Sequence, residues 1–137
     1  MTSILSYIAE SLNLSDAKVS PIESSLTACC VGFGWSDVII SYLILGLHPG
    51  SFFGAIFAND SDGILIHAHP LIKGEHITPI TNWLRTRAPI ECWGSYEKIN
   101  NWCTLSQQER IYGLERAKLF LTDHELVLYI LAKEEEK

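Results

Sequence analysis

Two histidines separated by one residue, His67 and His69, have the spacing in this sequence that best suits metal binding. On a β-strand, alternate side chains lie on one face, so both imidazoles could meet the same cation there. His76, Asp60 and Asp62 lie close enough in the sequence to complete such a site. An isolated His-x-His pair is a weak motif, because ligand identity and ligand number must both be met. We expect these histidines to lie in a turn or a partly buried loop, with a metal-dependent enzyme as the alternative, and we expect no cofactor.

The four cysteines match no catalytic or zinc-binding motif; they are Cys29, Cys30, Cys92 and Cys103. Adjacent cysteines do not ligate zinc as readily as a Cys-x-x-Cys pair does, and no histidine is near Cys29 and Cys30 in the sequence. The segment Gly32-Phe-Gly34 lacks the remaining spacing of a phosphate-binding loop. We therefore expect the cysteines to be small core residues and predict that the protein is not an enzyme.

Aromatic and basic side chains near the Cys-Trp-Gly-Ser-Tyr turn offer a different chemistry. Trp93 and Tyr96 flank this turn, and Arg85 and Arg87 precede it in the sequence. Such a cluster suits contact with a protein and stacking on a nucleobase equally well. One alternative function is therefore a small-ligand or signalling-nucleotide binding module that uses Arg85, Arg87 and Trp93.

The distribution of charge indicates the kind of partner. The net charge of −6 and the pI near 5.3 argue against a nucleic-acid-binding protein, which needs clustered basic residues. No Lys or Arg lies between Lys18 and Lys73, although three aspartates do. An acidic surface of this kind can dock on a basic protein surface. The residues that we predict to contact a protein partner are Asp37, Asp60, Asp62, Trp93 and Tyr96.

The hydrophobic pattern predicts an all-α fold. We expect residues 1–137 to form a single domain, a compact bundle of seven or eight short helices with a short strand or irregular segment near 63–69. The stretch from Leu26 to Ala58 has Asp37 as its only charge, but it is broken at Gly46 and Pro49, so it predicts buried helices rather than a membrane span. The N-terminus has no basic region before its apolar residues and no signal-peptide pattern, which predicts a cytoplasmic protein with reduced thiols.

Start and stop signals locate the first helices. A capping-box pattern in residues 20–23, with Pro21 at the first helical position, predicts a helix start there and an end near Gly32. Ser36 is a candidate cap for the next helix, which Gly46 should end. Pro49 opens another helix. The apolar residues on one broad face of that helix, which we predict to be core, are Phe52, Phe53, Ile56 and Phe57.

Similar signals continue to the C-terminus. Thr78-Pro79 predicts a restart, and Ser95 can cap a short helix. Residues 104–107 and 122–125 each have the capping-box pattern, and the second precedes an apolar final helix. Acidic residues 134–136 are at the negative end of that helix dipole, so we expect the tip to fray.

Several short motifs in the middle of the chain have a recognisable order. They are Pro49-Gly50-Ser51-Phe52, Ala58-Asn59-Asp60, Trp83-Leu84, Ala88-Pro89, Cys92-Trp93-Gly94-Ser95, Lys98 and Trp102. Over about Tyr42 to Trp102, this pattern resembles a family of small proteins from tailed phages and prophages. The segment that holds His67 and His69 departs from the family pattern. The resemblance implies an origin, a phage or prophage accessory protein in the bacterial cytoplasm, and no particular activity.

The leading functional prediction is a non-enzymatic protein that binds and modulates a host protein, for example an anti-CRISPR or other anti-defence inhibitor. An exposed apolar patch bordered by Asp and Glu would favour it. A concave pocket where Arg85 and Trp93 converge would favour the ligand-binding module. A structural or assembly component that works as a homo-oligomer is a further alternative. We expect neither direct nucleic-acid binding nor membrane insertion.

Overall fold

The computed structural model describes residues 4–69, 72 and 74–135, and their regular structure is entirely helical. Within these residues there are nine α-helices and one 3₁₀ turn, Ile90–Cys92, and no strand. The helices are α1 Ile4–Ser11, α2 Asp16–Ala28, α3 Phe33–Leu45, α4 Ser51–Phe57, α5 Ser61–His67, α6 Gly74–Thr86, α7 Tyr96–Thr104, α8 Gln107–Arg116 and α9 Asp123–Glu135. The predicted all-α class is confirmed. The strand considered near 63–69 is wrong, because most of that segment forms α5. No helix of the described part of the chain is both long and apolar enough to cross a bilayer.

Helix α2 begins earlier than its proline suggests. Ser15 is its N-cap, and its side chain accepts a hydrogen bond from the Lys18 N–H at 3.2 Å. Pro21 therefore lies inside the helix, and the predicted start at residues 20–23 is wrong. A proline in a helix leaves the carbonyl four residues back without its usual donor. The Ser20 hydroxyl donates to that carbonyl, the Ala17 oxygen, at 3.2 Å, which explains why the helix continues.

The end of α2 is a left-handed turn at Cys30, two residues before the predicted end near Gly32. Cys30 has φ = 63°, and its N–H donates to the Thr27 carbonyl at 3.0 Å. The next N–H, from Val31, donates to the Leu26 carbonyl at 3.0 Å. These two bonds form a Schellman motif, in which glycine is the usual left-handed residue. The chain places a cysteine there at a conformational cost.

Helix α3 has the predicted end but a different start. Gly32 is its N-cap, so Ser36 does not begin the helix; its hydroxyl donates to the Gly32 carbonyl at 3.0 Å from within the first turn. Gly46 ends the helix with φ = 71°, as predicted. A Cβ at Gly46 would lie 2.6 Å from Nη1 of Arg110. Arg110 occupies this space and donates from Nε to the Ile44 carbonyl at 3.0 Å, so it caps α3.

The N-cap of α8 is Ser106, two residues after the predicted cap Thr104. Ser106 and Glu109 form a capping box, each side chain accepting the other's backbone N–H at 3.2 Å. The box predicted from Thr104 needed Gln107 to reach back toward the cap. Gln107 instead donates from Nε2 to the Ile44 carbonyl at 2.6 Å. The prediction failed because two overlapping patterns fit, and tertiary contacts decided between them.

Of the remaining predicted helix starts, one is wrong and two are confirmed. Helix α6 begins at Gly74 and includes Pro79, so the predicted restart at 78–79 is wrong; the Thr78 hydroxyl donates to the Gly74 carbonyl one turn back at 3.0 Å. The predicted caps Ser95 and Thr122 are confirmed by side-chain bonds to the third following N–H. Helix α9 extends to Glu135, and residue 136 lies outside the described residues, so the fraying of its tip stays a prediction.

Large aromatic side chains fill the core, and each satisfies its polar atom. Trp83 is fully buried and donates from Nε1 to the Ser25 hydroxyl at 2.8 Å. Trp102 donates from Nε1 to the Leu43 carbonyl at 3.2 Å. Tyr42 donates its hydroxyl to the last carbonyl of the 3₁₀ turn at 2.7 Å. Because buried polar groups without partners are costly, these bonds fix how the helices meet.

The apolar face of α4 divides between core and surface. Ile56 and Phe57 are buried, as predicted. Phe52 and Phe53 are only partly buried and meet the Trp35 ring edge-to-face, with ring centroids 5.9 and 5.5 Å away. The aromatic contacts attach α4 to the start of α3.

Candidate protein-binding face

A tight corner after α4 sets the position of α5. Asn59 has a left-handed backbone, φ = 60°, and Asp60 follows it as the N-cap of α5. The Asp60 Oδ1 atom accepts the Gly63 N–H at 3.1 Å. A Cβ at Gly63 would lie 2.5 Å from the other Asp60 oxygen and 3.0 Å from the Ala55 Cβ. Only glycine permits this close approach, which holds the Asp60 carboxylate at the corner.

Tyr96 joins the beginning of α7 to this corner. Its hydroxyl donates to Asp60 Oδ2 at 2.5 Å, and the Gly94 N–H donates to the Phe57 carbonyl at 2.7 Å. The hydrogen bond from Tyr96, followed by that from the Gly63 N–H, lowers the pKa of Asp60 below its ordinary 3.8. The same bond to Asp60 raises the pKa of Tyr96. At neutral pH the corner therefore presents an ionised carboxylate beside a neutral, half-exposed phenol.

Two apolar side chains project from α5, the helix that Asp60 caps. Leu65 is 79% exposed and Ile66 is 75% exposed, the two highest values among the large apolar residues that the structure describes. They lie three and four residues after Asp62, which places all three on one side of the helix. Gly63 is buried and Ile64 packs against the core, so that side faces outward. We use the name α5 face for Asp62, Leu65 and Ile66 on this side of the helix, together with Asp60 and Tyr96 at the corner where the helix begins.

The fold places three of the five predicted partner-binding residues on this face, namely Asp60, Asp62 and Tyr96. Trp93 is partly buried and packs against the core, so it supports the nearby turn. Asp37 lies on α3 and lines a cleft with residues of α1 and α2. Leu65 and Ile66 were not predicted as surface residues, because an apolar pair in a segment of uncertain helix or strand structure is indistinguishable from core.

The predicted histidine site is not assembled. Among the described residues, no three histidine, cysteine, aspartate or glutamate side chains lie close enough together to hold a metal ion. His67 is the last residue of α5, and Ala68 turns into extended backbone before His69. The alternation of side chains on a strand, from which the prediction for these residues and His76 was made, does not apply.

The cleft that Arg87 lines lacks the other two proposed ligand-binding residues. Arg87 lines a cleft of about 300 Å³ together with Glu91 and Arg116. Arg85, which is exposed on α6, and Trp93 are not among the residues that line this cleft. This cleft therefore does not bring Arg85 and Trp93 together, the arrangement that would have favoured the ligand-binding module.

The cysteines occupy contrasting environments. Cys92 is fully buried, as predicted, and burial raises the pKa of its thiol. Cys30 is exposed, so the prediction that it is a core residue is wrong. It lines a cleft of about 430 Å³ with Trp35 and His76, whose ring centroids are 6.2 Å apart. The fold thus brings a histidine into the cleft of a thiol that has none nearby in the sequence.

Comparisons with known proteins give no relative from which a role could be inferred. No protein-family model matches the chain, and no curated protein or solved structure matches it. The resemblance to small phage proteins stays a prediction from sequence motifs. The function must be inferred from the chemistry of the surface itself.

Proposed function

We propose that this protein is a non-enzymatic binding protein that docks on a second protein through the α5 face and modulates it. The observation that carries the proposal is the exposed pair Leu65 and Ile66 on α5, one turn after Asp62 on the same side of the helix that Asp60 caps. The phage-like motifs suggest the setting, a phage or prophage accessory protein that inhibits a host protein in the bacterial cytoplasm. An anti-defence role, such as inhibition of a CRISPR system, fits that setting.

The apolar pair supplies the contact that would drive binding. Side chains that are three-quarters exposed in the free protein can each lose most of their contact with water in a complex. Tyr96 is 48% exposed and adds an amphipathic ring, a type enriched where interfaces bind most strongly. Its hydroxyl is already held by Asp60 at 2.5 Å, so little conformational freedom is lost when a partner covers it.

The carboxylates select the partner. Asp62 lies one turn before the apolar pair and Asp60 caps the same helix, and the chain carries no Lys or Arg from residue 19 to residue 72. The lowered pKa of Asp60 keeps it charged down to acidic pH. A partner with an apolar spot and a basic rim is complementary to this surface, and opposite charges of this kind chiefly raise the association rate.

The test is affinity capture from a bacterial lysate with three versions of the full-length protein. The wild type and a control, Tyr7→Ser with Leu47→Ser, should retain the same partner, since the control removes two apolar side chains that are 63% and 56% exposed elsewhere. Leu65→Ser with Ile66→Ser should retain about tenfold less, a loss that corresponds to about 1.4 kcal/mol. Retention should also fall as salt rises from about 50 to 500 mM, because salt screens exposed charges. Equal retention by the α5 variant, or no partner specific to the wild type, would contradict the proposal.

A further inference from the structure

Two clefts meet at the ion pair between Glu91 and Arg116. The larger cleft, of about 440 Å³, lies between α7 and α8 and is lined by Tyr112 among other residues. The smaller, of about 300 Å³, is the cleft that Arg87 lines. Glu91 and Arg116 line both clefts, so the ion pair forms the wall that the clefts share. Sites for small ligands are typically concavities of about 300–1,000 Å³, and each cleft is within this range.

The shared wall is weak. Nη2 of Arg116 lies 3.6 Å from Oε1 of Glu91, and the two side chains are 65% and 50% exposed. Exposed ion pairs of this kind contribute little to stability, so a ligand can separate the two side chains at small cost. A guanidinium binds a phosphate through two parallel N–H bonds, which is a stronger contact than the long bond to Glu91.

The two clefts carry uncompensated positive charge. Arg87 and Lys98 each line one of them, and neither pairs with a carboxylate of the residues that the structure describes; the Lys98 ammonium donates to a backbone carbonyl at 3.1 Å. The two carboxylates at the clefts are already engaged, Glu91 by Arg116 and Glu109 by a backbone N–H at 3.2 Å. A chain with a net charge of −6 thus has two unpaired cations next to one weak ion pair, which favours an anionic ligand.

The larger cleft also offers a surface for a planar ring. Tyr112 is 52% exposed and lies four residues before Arg116, on the same side of α8. The buried Trp102 and the partly buried Leu105 add apolar surface to the same cleft. Aromatic side chains stack on nucleobases of any identity. Four residues of a helix rise about 6 Å, a separation that the ribose between a base and its phosphate can span.

We propose that these clefts bind a mononucleotide, with its base against Tyr112 in the larger cleft and its phosphate between Arg116 and Arg87. The phosphate then takes the place of the Glu91 carboxylate beside Arg116. This site goes beyond the proposed function, because none of its residues belongs to the α5 face. It also differs from the nucleotide site considered in the sequence analysis, since it uses neither Arg85 nor Trp93.

The test is isothermal titration calorimetry of the full-length protein with AMP as the probe, for which we expect a Kd of about 10–500 μM. Arg116→Gln should weaken binding about tenfold and Arg87→Gln about fivefold, because each removes a cation from the phosphate. Arg85→Gln is the matched control, since this exposed arginine of α6 lines neither cleft, and it should keep the Kd within about twofold. Tyr112→Ser should weaken binding about tenfold through lost stacking.

Glu91→Gln gives a result of the opposite sign. It removes the carboxylate that competes with phosphate for Arg116, so AMP should bind about threefold more tightly. Adenosine, which lacks the phosphate, and inorganic phosphate, which lacks the ring, should each bind at least about tenfold more weakly than AMP. The substituted side chains are exposed, so circular dichroism should be unchanged in every variant.

Four results would overturn the inference. The first is the absence of binding at AMP concentrations up to about 2 mM. The second is an equal loss of affinity in Arg87→Gln and Arg85→Gln. The third is weaker binding by Glu91→Gln, and the fourth is binding of inorganic phosphate as tight as that of AMP.

Discussion

Replacing Lys18 by methionine is the sharpest test of how α9 is attached to the rest of the molecule. Lys18 lies on α2 and is only 6% exposed. Its ammonium donates to Glu115 Oε2 at 2.9 Å, to the Leu121 carbonyl at 2.9 Å and to Asp123 Oδ1 at 3.1 Å. All three of its protons are therefore used to join α2 to α8 and to the base of α9.

The size of the effect follows from the exposure of each partner. The Glu115 side chain is 15% exposed, so removal of the ammonium leaves a largely buried, unpaired carboxylate, and breaking such a pair costs about 3–5 kcal/mol. The Asp123 side chain is 97% exposed, and its share is therefore about 0–1 kcal/mol. Methionine keeps most of the apolar stem. We expect Lys18→Met to lower the free energy of unfolding by about 3 kcal/mol, a large part of the roughly 5–15 kcal/mol of a typical domain.

Urea denaturation followed by circular dichroism measures this loss. Lys118→Met is the control, because its ammonium is 74% exposed and 4.0 Å from Glu125; the expected change is within about 0.5 kcal/mol. Lys18→Met with Glu115→Gln should recover about half of the loss, since the one carboxylate left without its partner, that of Asp123, is exposed to water. A loss under about 1 kcal/mol for Lys18→Met, or a double variant no more stable than the single one, would refute the reasoning.

We expect the same ammonium to make the stability of the protein depend on pH in the alkaline range. Burial lowers the pKa of Lys18, but the hydrogen bonds and attractions to Glu115 and Asp123 raise it by more, so it lies above its ordinary 10.5. A pKa raised in the folded state contributes stability that is complete below the unfolded value and is lost as the pH rises through the folded value. The wild type should therefore lose stability above about pH 10.5 more steeply than Lys18→Met does. Parallel curves for the two proteins would contradict this account.

Four further predictions concern single residues. Cys30→Gly should stabilise the protein by about 0.5–1 kcal/mol in thermal unfolding because it relieves a left-handed cysteine, whereas Cys29→Gly, with φ = −88°, should destabilise it. Gly63→Ala should lower stability by about 1–2 kcal/mol through contact with Asp60. Because the pKa of Asp60 is lowered, its contribution should be present at neutral pH and lost below about pH 3.8; Asp60→Asn should remove that part of the acid transition. In the native protein a thiol reagent should modify Cys30 and spare Cys92 until unfolding. Equal reactivity of the two thiols, or a stabilising Gly63→Ala, would contradict the environments described.

Local signals in the sequence were sufficient to predict a helix start where only one capping pattern was present. Ser95 and Thr122 each had a single favourable pattern, and both cap the helices predicted from them. The helix starts predicted from Pro21 and Pro79 are wrong, because proline at a first helical position and proline within a helix look alike in sequence. What distinguishes Pro21 is a side-chain bond, from Ser20 to the Ala17 carbonyl, that the pattern does not encode.

The candidate surfaces were only partly accessible from the sequence. Clustering of aspartates in a segment without Lys or Arg pointed to Asp60 and Asp62, and an aromatic next to a turn pointed to Tyr96. Exposure of Leu65 and of Val127 depends on which helix faces remain uncovered after packing. Apolar periodicity indicates that a face seeks cover and does not indicate whether this chain or another provides it.

Native mass spectrometry of the untagged full-length protein, purified from a bacterial lysate, tests the central claim most directly. The account predicts a complex of this chain with one host protein at defined stoichiometry, and its loss when Leu65→Ser and Ile66→Ser are introduced together. A wild-type spectrum that holds only monomer and homodimer, or an unchanged complex in the α5 variant, would contradict binding through the α5 face.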